Sequence, residues 1–262
     1  MARLTSLLKV TVFSLALSLE LTIAARLGLP AKAGGLNFNR GVTIGVFNPP
    51  DRGAPTTAVG GATRGSDLCA EVKPLIPKDT SHHRENPPYF GLALMERPTL
   101  FFHVKGSAKY TGETLYFALN RVDADGNLGE LVYETNLSLP DRGGVMSVSL
   151  PPQATLDVGQ SYQWYLEMTC NADSPNAEGN SLEGWIDRVD RTPDLADRLE
   201  IARTPTDRAT VYAEAGIWFD AIDTLARERL DEDTPELKAA WDELLGDSDV
   251  GLGDVVEASL LD

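Results

Sequence analysis

The chain has 262 residues and carries 39 acidic against 23 basic side chains, a net charge of −16 at pH 7. This excess of negative charge argues against nucleic acid and anionic lipid as partners, because both are polyanions. The length allows one large domain, or one domain with an appendage.

Residues 1–33 have the features of a secretory signal peptide. Basic residues precede an apolar run, VTVFSLALSL at 10–19, and an A-x-A pattern ends at Ala33. We expect cleavage near Ala33 and a periplasmic or secreted mature protein with a net charge of −19. Glu20 and Arg26 interrupt the apolar character, so no membrane span is expected after cleavage. An uncleaved anchor is the alternative.

Residues 34–67 form a Pro/Gly-rich N-terminal extension that contains the stretch NPPDRGAPTTAVGGATRG. Its glycines lack the lysine of a Walker loop and the spacing of a dinucleotide-binding turn, so a phosphate loop is not predicted. We interpret the extension as a tether or surface-hugging segment, with one edge strand at 42–47. Arg52 and Arg64 are candidate binding residues, because a guanidinium group can hold a carboxylate or phosphate by two hydrogen bonds. Their partner would be the acidic C-terminal segment or an outside molecule.

Residues 68–191 are predicted to form a β-sandwich, since short strand-type segments alternate with turn sequences such as DADGN and PDRGG. The predicted strands are 68–76, 98–106, 113–122, 129–139, 145–150, 160–170 and 182–190. Just before the central Trp164, the sequence LDVGQSY has the Leu-x-x-Gly-x-x-Tyr spacing of a tyrosine corner. That spacing favours an immunoglobulin/fibronectin-like antiparallel sandwich, and a jelly roll is the alternative.

The two cysteines of the chain, Cys69 and Cys170, are predicted to form a disulfide. An even pair in an oxidising compartment is typical of a structural bridge. It would fasten the first predicted strand to the strand that carries Trp164. Two buried free thiols are the alternative.

The segment DADGNLGELVYE matches some ligand positions of a calcium-binding EF-hand loop. The matching positions are 1, 3, 5 and 12, at Asp123, Asp125, Asn127 and Glu134. Position 6, where such a loop needs glycine, is Leu128, and the flanking segments are predicted strands. A hairpin turn on Asp125 and Gly126 explains the same residues. A calcium site is therefore kept as an alternative, and no other cofactor is expected.

Residues 192–262 are predicted to form an acidic helical segment packed on the sandwich as a helical hairpin. Apolar residues recur at helical spacing in 194–203, 206–230 and 235–246. Thr206 is expected to cap the second helix, and Thr234 with Pro235 the third. Residues 194–262 alone carry a net charge of −13, so most of the negative charge lies here.

Several of these segments together resemble a known family, the domain of unknown function 928 family. The similar stretches are PPDRGAPTTAVGGATRG, LALMERPTLFFHV, DVGQSYQWYLEMTC, LEGWIDRV and YAEAGIWFDAIDTLA. The resemblance implies a secreted protein, found largely in cyanobacteria, with a signal peptide and one globular unit. It implies no activity and supplies no catalytic or binding residues.

The sequence contains no HExxH, CxxC or GxSxG pattern, so no catalytic residue is assigned. We expect a non-enzymatic binding or envelope-associated module whose partner is an unknown protein or envelope polymer. One alternative is an envelope hydrolase that acts on a polysaccharide or ester through acidic residues. The other is a calcium-stabilised, adhesion-type module.

Overall fold

The strands occupy the middle of the chain and the helices follow them. A computed structural model describes residues 44–54, 70–79, 81, 86–105, 114–169 and 179–261. The described strands are β1 Val72–Pro74, β2 Tyr89–Ala93, β3 Thr99–Val104, β4 Thr114–Val122, β5 Leu128–Ser138, β6 Gly144–Ser149, β7 Ser161–Thr169 and β8 Gly179–Arg188. The α-helices are α1 Pro193–Ile201, α2 Pro205–Glu214, α3 Trp218–Asp231 and α4 Pro235–Gly246, and a short 3₁₀ helix spans Gly253–Val255. The predicted signal peptide, residues 1–33, lies outside the described residues.

The strands form two sheets. One has three strands in the order β1-β3-β6, and the other has five in the order β2-β8-β7-β4-β5. Every pair is antiparallel except β2 with β8, which is parallel. Near the C-terminus Leu260 forms a parallel bridge with Val145 and so covers the β6 edge of the smaller sheet. The chain is thus mainly β, with its helices towards the C-terminus.

The alternation predicted for β7 is confirmed. Its core-facing side chains are almost completely buried, whereas the side chains between them are half-buried. Trp164 on β7 meets Phe102 on β3 edge to face, with ring centroids 5.6 Å apart, so the two sheets share a core. The Tyr162 hydroxyl accepts a hydrogen bond of 2.8 Å from the Asp157 amide, the contact that the tyrosine-corner spacing predicts.

Each of the seven predicted strand segments overlaps an observed strand, but β2 is not among the predicted strands. Its sequence YFGLA shows no alternation, because four of its five residues are buried. Gly91 lies where an added Cβ would be 2.9 Å from the Phe219 ring of α3. This strand lies between β8 and the helices, and a strand covered on both faces gives no period-two signal.

The C-terminal segment has four α-helices in the described chain, whereas the apolar spacing predicts three. The predicted helix over 206–230 is divided into α2 and α3 at Gly216, whose φ of +72° takes the backbone out of the helical region. The cap of α2 is also earlier than expected. Thr204, and not Thr206, caps it in a reciprocal arrangement with Asp207.

The helices pack directly against the sheets at α3. The Trp218 indole donates a 2.8 Å hydrogen bond to the carbonyl of Leu75, just after β1, and both side chains are fully buried. Leu225 and Trp241 extend the same core into α3 and α4. None of the helices in the described part of the chain is long and apolar enough to cross a membrane.

Candidate functional site

Two clefts lie where the first three helices meet the ends of β2 and β8. The link between β8 and α1, residues 189–192, separates them, with Asp190 lining one and Arg191 the other. The first, which we call the strap cleft, has a volume of about 710 Å³ and is bordered by residues 48–52. The second has a volume of about 490 Å³ and is lined by four arginines, so we call it the arginine cleft.

Residues 44–54, which we call the strap, are packed onto the helices. The Asn48 amide donates to the Ala213 carbonyl of α2 at 3.1 Å, and the Phe47 ring meets Trp218 edge to face at 5.3 Å. The Ala54 amide donates to the buried carboxylate of Asp79 at 3.0 Å. The predicted edge strand is absent from residues 44–47, the part of it that the structure describes. The surface-hugging alternative is the one observed for the strap.

Arg52 is engaged within the protein. Its guanidinium lies 2.8 Å from the Asp187 carboxylate on β8, and that side chain is only 10 % exposed. The same carboxylate accepts a 2.5 Å hydrogen bond from the Ser161 hydroxyl. Burial raises the pKa of Asp187, while the Ser161 hydrogen bond and the Arg52 charge act in the opposite direction. Arg52 thus joins the strap to the larger sheet rather than to the acidic helices, and Arg64 lies outside the described residues.

The strap cleft has no unpaired basic side chain among the described residues. Arg52 is paired with Asp187, and Arg198 of α1 is paired with Glu214 of α2. The other charged side chains in its walls are carboxylates. This cleft therefore offers no described group for binding an anion.

The four residues of the calcium hypothesis are not brought together. Asp123 and Asn127 form a turn, in which the Asp123 carboxylate accepts the amides of Asp125 and Asn127 at 2.9 and 2.8 Å. These hydrogen bonds lower the pKa of Asp123. Glu134 pairs across the sheet with Ala118 and accepts a 2.5 Å hydrogen bond from the Tyr116 hydroxyl. In the described part of the chain, no group of three acidic, histidine or cysteine side chains has the spacing of a metal site.

Cys69 and Cys170 both lie outside the described residues, so the disulfide stays a prediction. The adjoining strands belong to different sheets, since β1 is in the three-stranded sheet and β7 in the five-stranded one. A bridge between the cysteines would link segments that lead into the two sheets.

Four exposed arginines from separate elements line the arginine cleft. Arg97 follows β2, Arg191 follows β8, Arg208 lies in α2 and Arg227 in α3. Arg227 pairs with Asp223 at 2.6 Å, and Arg97 lies 3.5 Å from Glu96. Arg191 and Arg208 make no ion pair with any described residue.

Asp220 supplies a buried carboxylate to the same cleft. Only 4 % of the residue is exposed, and its Oδ2 accepts the amides of Leu94 at 2.7 Å and Met95 at 3.5 Å. Its Oδ1 accepts no hydrogen bond from a described residue, and Asp220 is one of the residues that line the cleft. Burial is the main cause that raises the pKa of Asp220 to about 6, and the nearby charge of Asp223 adds to it.

Tyr212 and Asp223 complete the inner surface of the arginine cleft. Tyr212 is 6 % exposed and lines the cleft. Its hydroxyl has no hydrogen-bond partner among the described residues. Asp223 accepts a hydrogen bond from Arg227 through one carboxylate oxygen, and its other oxygen is buried without a described partner. The cleft therefore combines guanidinium donors with a carboxylate acceptor and a phenol that can donate or accept.

None of these residues was predicted as a site from the sequence. A signal for them is present on the two helices. Arg208 and Tyr212 are four residues apart on α2, and the cleft residues of α3 recur at i, i+3, i+4 and i+7. The latter are Asp220, Asp223, Thr224 and Arg227. Polar residues that recur at helical spacing beside an apolar face are the sequence pattern that indicates this candidate site.

The comparison with protein families identifies a family for this chain. The family model described as Domain of Unknown Function (DUF928) matches residues 59–260, which include every described strand and helix. No curated protein matches the chain. Since the matched region covers most of the chain, the protein belongs to the DUF928 family.

Proposed function

We propose that this protein is an extracytoplasmic, non-enzymatic binding module that holds an anionic ligand in the arginine cleft. The observation that carries the proposal is the pair Arg191 and Arg208, which line one cleft and form no ion pair within the described part of the chain. Arginine forks match carboxylate and phosphate groups in two parallel hydrogen bonds.

Four arginines in one cleft are unusual for a chain whose net charge is strongly negative. A net charge of −16 repels anions from most of the surface, so an anion-binding protein of this composition needs a local basic site. The arginine cleft has four guanidinium groups against the carboxylates of Glu96, Asp220 and Asp223. Arg191 and Arg208, whose charges no described residue balances by an ion pair, raise the potential in the cleft and with it the local concentration of an anionic ligand.

The test is a calorimetric titration of the mature protein with sulfate, phosphate and galacturonate at low ionic strength. We expect at least one of these anions to bind, and Arg191→Ala with Arg208→Ala to weaken its binding about tenfold or more, because two charge-assisted contacts are lost. A charge-matched control combines Arg142→Ala with Lys105→Ala, since both side chains are exposed and outside the cleft. Binding that survives the first double variant, or that both double variants weaken equally, contradicts the proposal.

The extracytoplasmic location is part of the proposal. It is supported by the basic start, the apolar run at 10–19 and the A-x-A pattern that ends at Ala33. N-terminal sequencing of the protein exported by its natural host is the direct check. A first residue near Gly34 is expected, whereas a retained Met1 would argue for an uncleaved anchor.

We also propose that the two sheets are an immunoglobulin-like sandwich. The strand order is one support, since the first two strands divide between the sheets and β2 runs parallel to β8 at the edge of the larger one. The hydrogen bond between Tyr162 and Asp157 is a second support. Because such sandwiches serve many functions, the binding proposal rests on the cleft and not on the fold.

A hydrolase acting on a polysaccharide or ester is the second candidate, and Asp220 favours it. A buried carboxyl that has a pKa of about 6 and lines a cleft has the environment of a general acid. The check is hydrolysis of chromogenic glycosides and esters by the mature protein, with and without Asp220→Asn. Turnover that disappears in this variant would establish the hydrolase and overturn the non-enzymatic proposal.

A further inference from the structure

We infer that the ligand of the arginine cleft is a hydroxylated carboxylic acid of the sugar-acid class. Its carboxylate is held by Arg191 and Arg208, and its hydroxyl groups hydrogen-bond to Asp220 and Tyr212. The inference rests on the proposed anion-binding function and names the class of anion that the remaining polar groups select.

The Asp220 carboxylate in the cleft favours a ligand that carries a hydrogen-bond donor. Asp220 is held in place by the amides of Leu94 and Met95 through Oδ2. Its Oδ1 accepts no hydrogen bond from a described residue and is therefore available to a ligand in the cleft that Asp220 lines. A simple anion such as sulfate has only acceptors and would place negative charge beside this carboxylate. A hydroxyl group donates to it instead, and hydrogen bonds to a charged acceptor are among the stronger ones.

The Tyr212 hydroxyl provides a second contact for the same kind of ligand. It lies on α2 one turn after Arg208, and its ring is buried, so the position of its oxygen is fixed by the core. A phenol both donates and accepts, as does a sugar hydroxyl, so the two can pair in either direction. One helix, α2, thus supplies the cleft with both Arg208, which binds the carboxylate, and Tyr212, which hydrogen-bonds to a hydroxyl group.

A neutral hydroxyl suits this cleft better than an ammonium group. Arg97 and Arg227 are paired with Glu96 and Asp223, so the charges of Arg191 and Arg208 are balanced by Asp220 and the carboxylate of the ligand. The ammonium group of a zwitterionic amino acid would add an unbalanced positive charge to the cleft, whereas hydroxyl groups add no charge. The cleft volume of about 490 Å³ is within the range of pockets that hold small organic ligands.

Three probes of similar ring size separate the two halves of the ligand. Galacturonate carries both the carboxylate and the hydroxyls, cyclohexanecarboxylate carries only the carboxylate, and galactose carries only the hydroxyls. We expect galacturonate to bind the mature protein about tenfold or more tightly than either of the others in calorimetric titrations, because each lacks one set of contacts.

Two variants locate the hydroxyl contacts, and a third is their control. Tyr212→Phe removes the phenol hydroxyl. In Asp220→Asn the single side-chain oxygen of the asparagine is needed to accept from the Leu94 amide, so an NH₂ group replaces the other carboxylate oxygen as the contact for the ligand. Tyr212→Phe should weaken galacturonate several-fold and leave cyclohexanecarboxylate unchanged. Asp220→Asn should reduce the preference for galacturonate over cyclohexanecarboxylate several-fold, because it removes the acceptor of a hydroxyl and also a negative charge that disfavours any anion. Tyr165→Phe, outside the cleft, should change neither affinity. Thermal melts of each variant verify that it is folded.

The outcomes distinguish this inference from the function on which it rests. If cyclohexanecarboxylate binds as tightly as galacturonate, the sugar-acid class is overturned and the anion-binding function stands. If neither galacturonate nor any simple anion binds, the anion-binding function itself fails. A galacturonate trimer that binds more tightly than the monomer identifies an acidic polysaccharide as the source of the ligand, and equal affinities identify the free sugar acid.

Discussion

Asp220 combines a role in the fold with a place in the wall of the arginine cleft. Through Oδ2 it fixes the backbone that follows β2, and its Oδ1 accepts no hydrogen bond from a described residue. A carboxylate in this position costs folding free energy, because burial disfavours its charged form. Residues that reduce stability in this way are found disproportionately at functional sites. The position of Asp220 therefore supports the cleft as the functional part of the molecule.

This cost can be measured as a function of pH. The pKa of Asp220 is raised from 3.8 to about 6, so the folded state binds the proton more tightly than the unfolded state. The stabilising contribution of the protonated form is present below pH 3.8 and is lost as the pH rises through 6. Asp220→Asn, which is neutral at every pH, should therefore raise the free energy of unfolding at pH 7 by up to about 3 kcal/mol and have little effect near pH 4.

Urea unfolding of both proteins at pH 4, 5, 6 and 7 is the measurement. Asp231→Asn is the control, because Asp231 is an exposed carboxyl on the same helix. A decrease in stability of Asp220→Asn at pH 7 would mean that the hydrogen bonds from Leu94 and Met95 outweigh the cost of burying the charge.

At the scale of elements, the break between α2 and α3 positions both the strap and the cleft. The apolar spacing continues across it, through Val211, Ala215 and Trp218, which is why the sequence predicts one helix. The backbone turns at Gly216, and the missing side chain lets the Asn48 carbonyl of the strap approach closely. The turn thereby separates Arg208 and Tyr212 on α2 from Asp220 on α3 while keeping all three in one cleft.

Gly216→Ala tests the importance of this turn. An alanine Cβ would lie 2.8 Å from the Asn48 carbonyl oxygen and would have to adopt a positive φ. We expect a loss of about 1–3 kcal/mol in the free energy of unfolding and faster hydrogen exchange of the Asn48 amide. Gly246→Ala is the matched control, because no heavy atom lies within 4 Å of its added Cβ. If the two variants unfold at the same urea concentration, the turn does not require glycine.

At the scale of the whole molecule, one core joins the sheets, the helices and the strap. The single side chain of Trp218 both contacts Phe47 of the strap and donates a hydrogen bond to the Leu75 carbonyl that follows β1. The C-terminal residues return to the smaller sheet, where the Leu261 amide donates to the Val145 carbonyl at 2.9 Å. Segments that are far apart in the chain therefore stabilise one another, and the arginine cleft depends on their mutual packing.

The predicted disulfide between Cys69 and Cys170 would add a covalent link on the same scale. Closing a loop of roughly 100 residues contributes about 4–5 kcal/mol in the chain-entropy model, so the reduced protein should melt at a lower temperature. Mass spectrometry after thiol alkylation of the unreduced, denatured protein is the measurement. No added label is expected, and two labelled cysteines in freshly secreted protein would exclude the bridge.

The sequence by itself determined the local structure of this protein. Alternating burial predicted the faces of β7, the tyrosine-corner spacing predicted the hydrogen bond of Tyr162, and Thr234 with Pro235 predicted the start of α4. Each of these features depends on residues within a few positions of one another. The period of side-chain burial and the chemistry of helix caps are therefore sufficient to find them.

Only the tertiary structure decided where β2 pairs, where the long helix breaks and which residues meet in the arginine cleft. Four of the five residues of β2 are buried, and they pair with residues about 95 positions later in the chain, so no local pattern marks this strand. Arg97, Arg191, Arg208 and Arg227 lie on four different elements, and each alone is typical of a solvated surface. Their convergence follows from long-range packing, about which the period of a sequence contains no information.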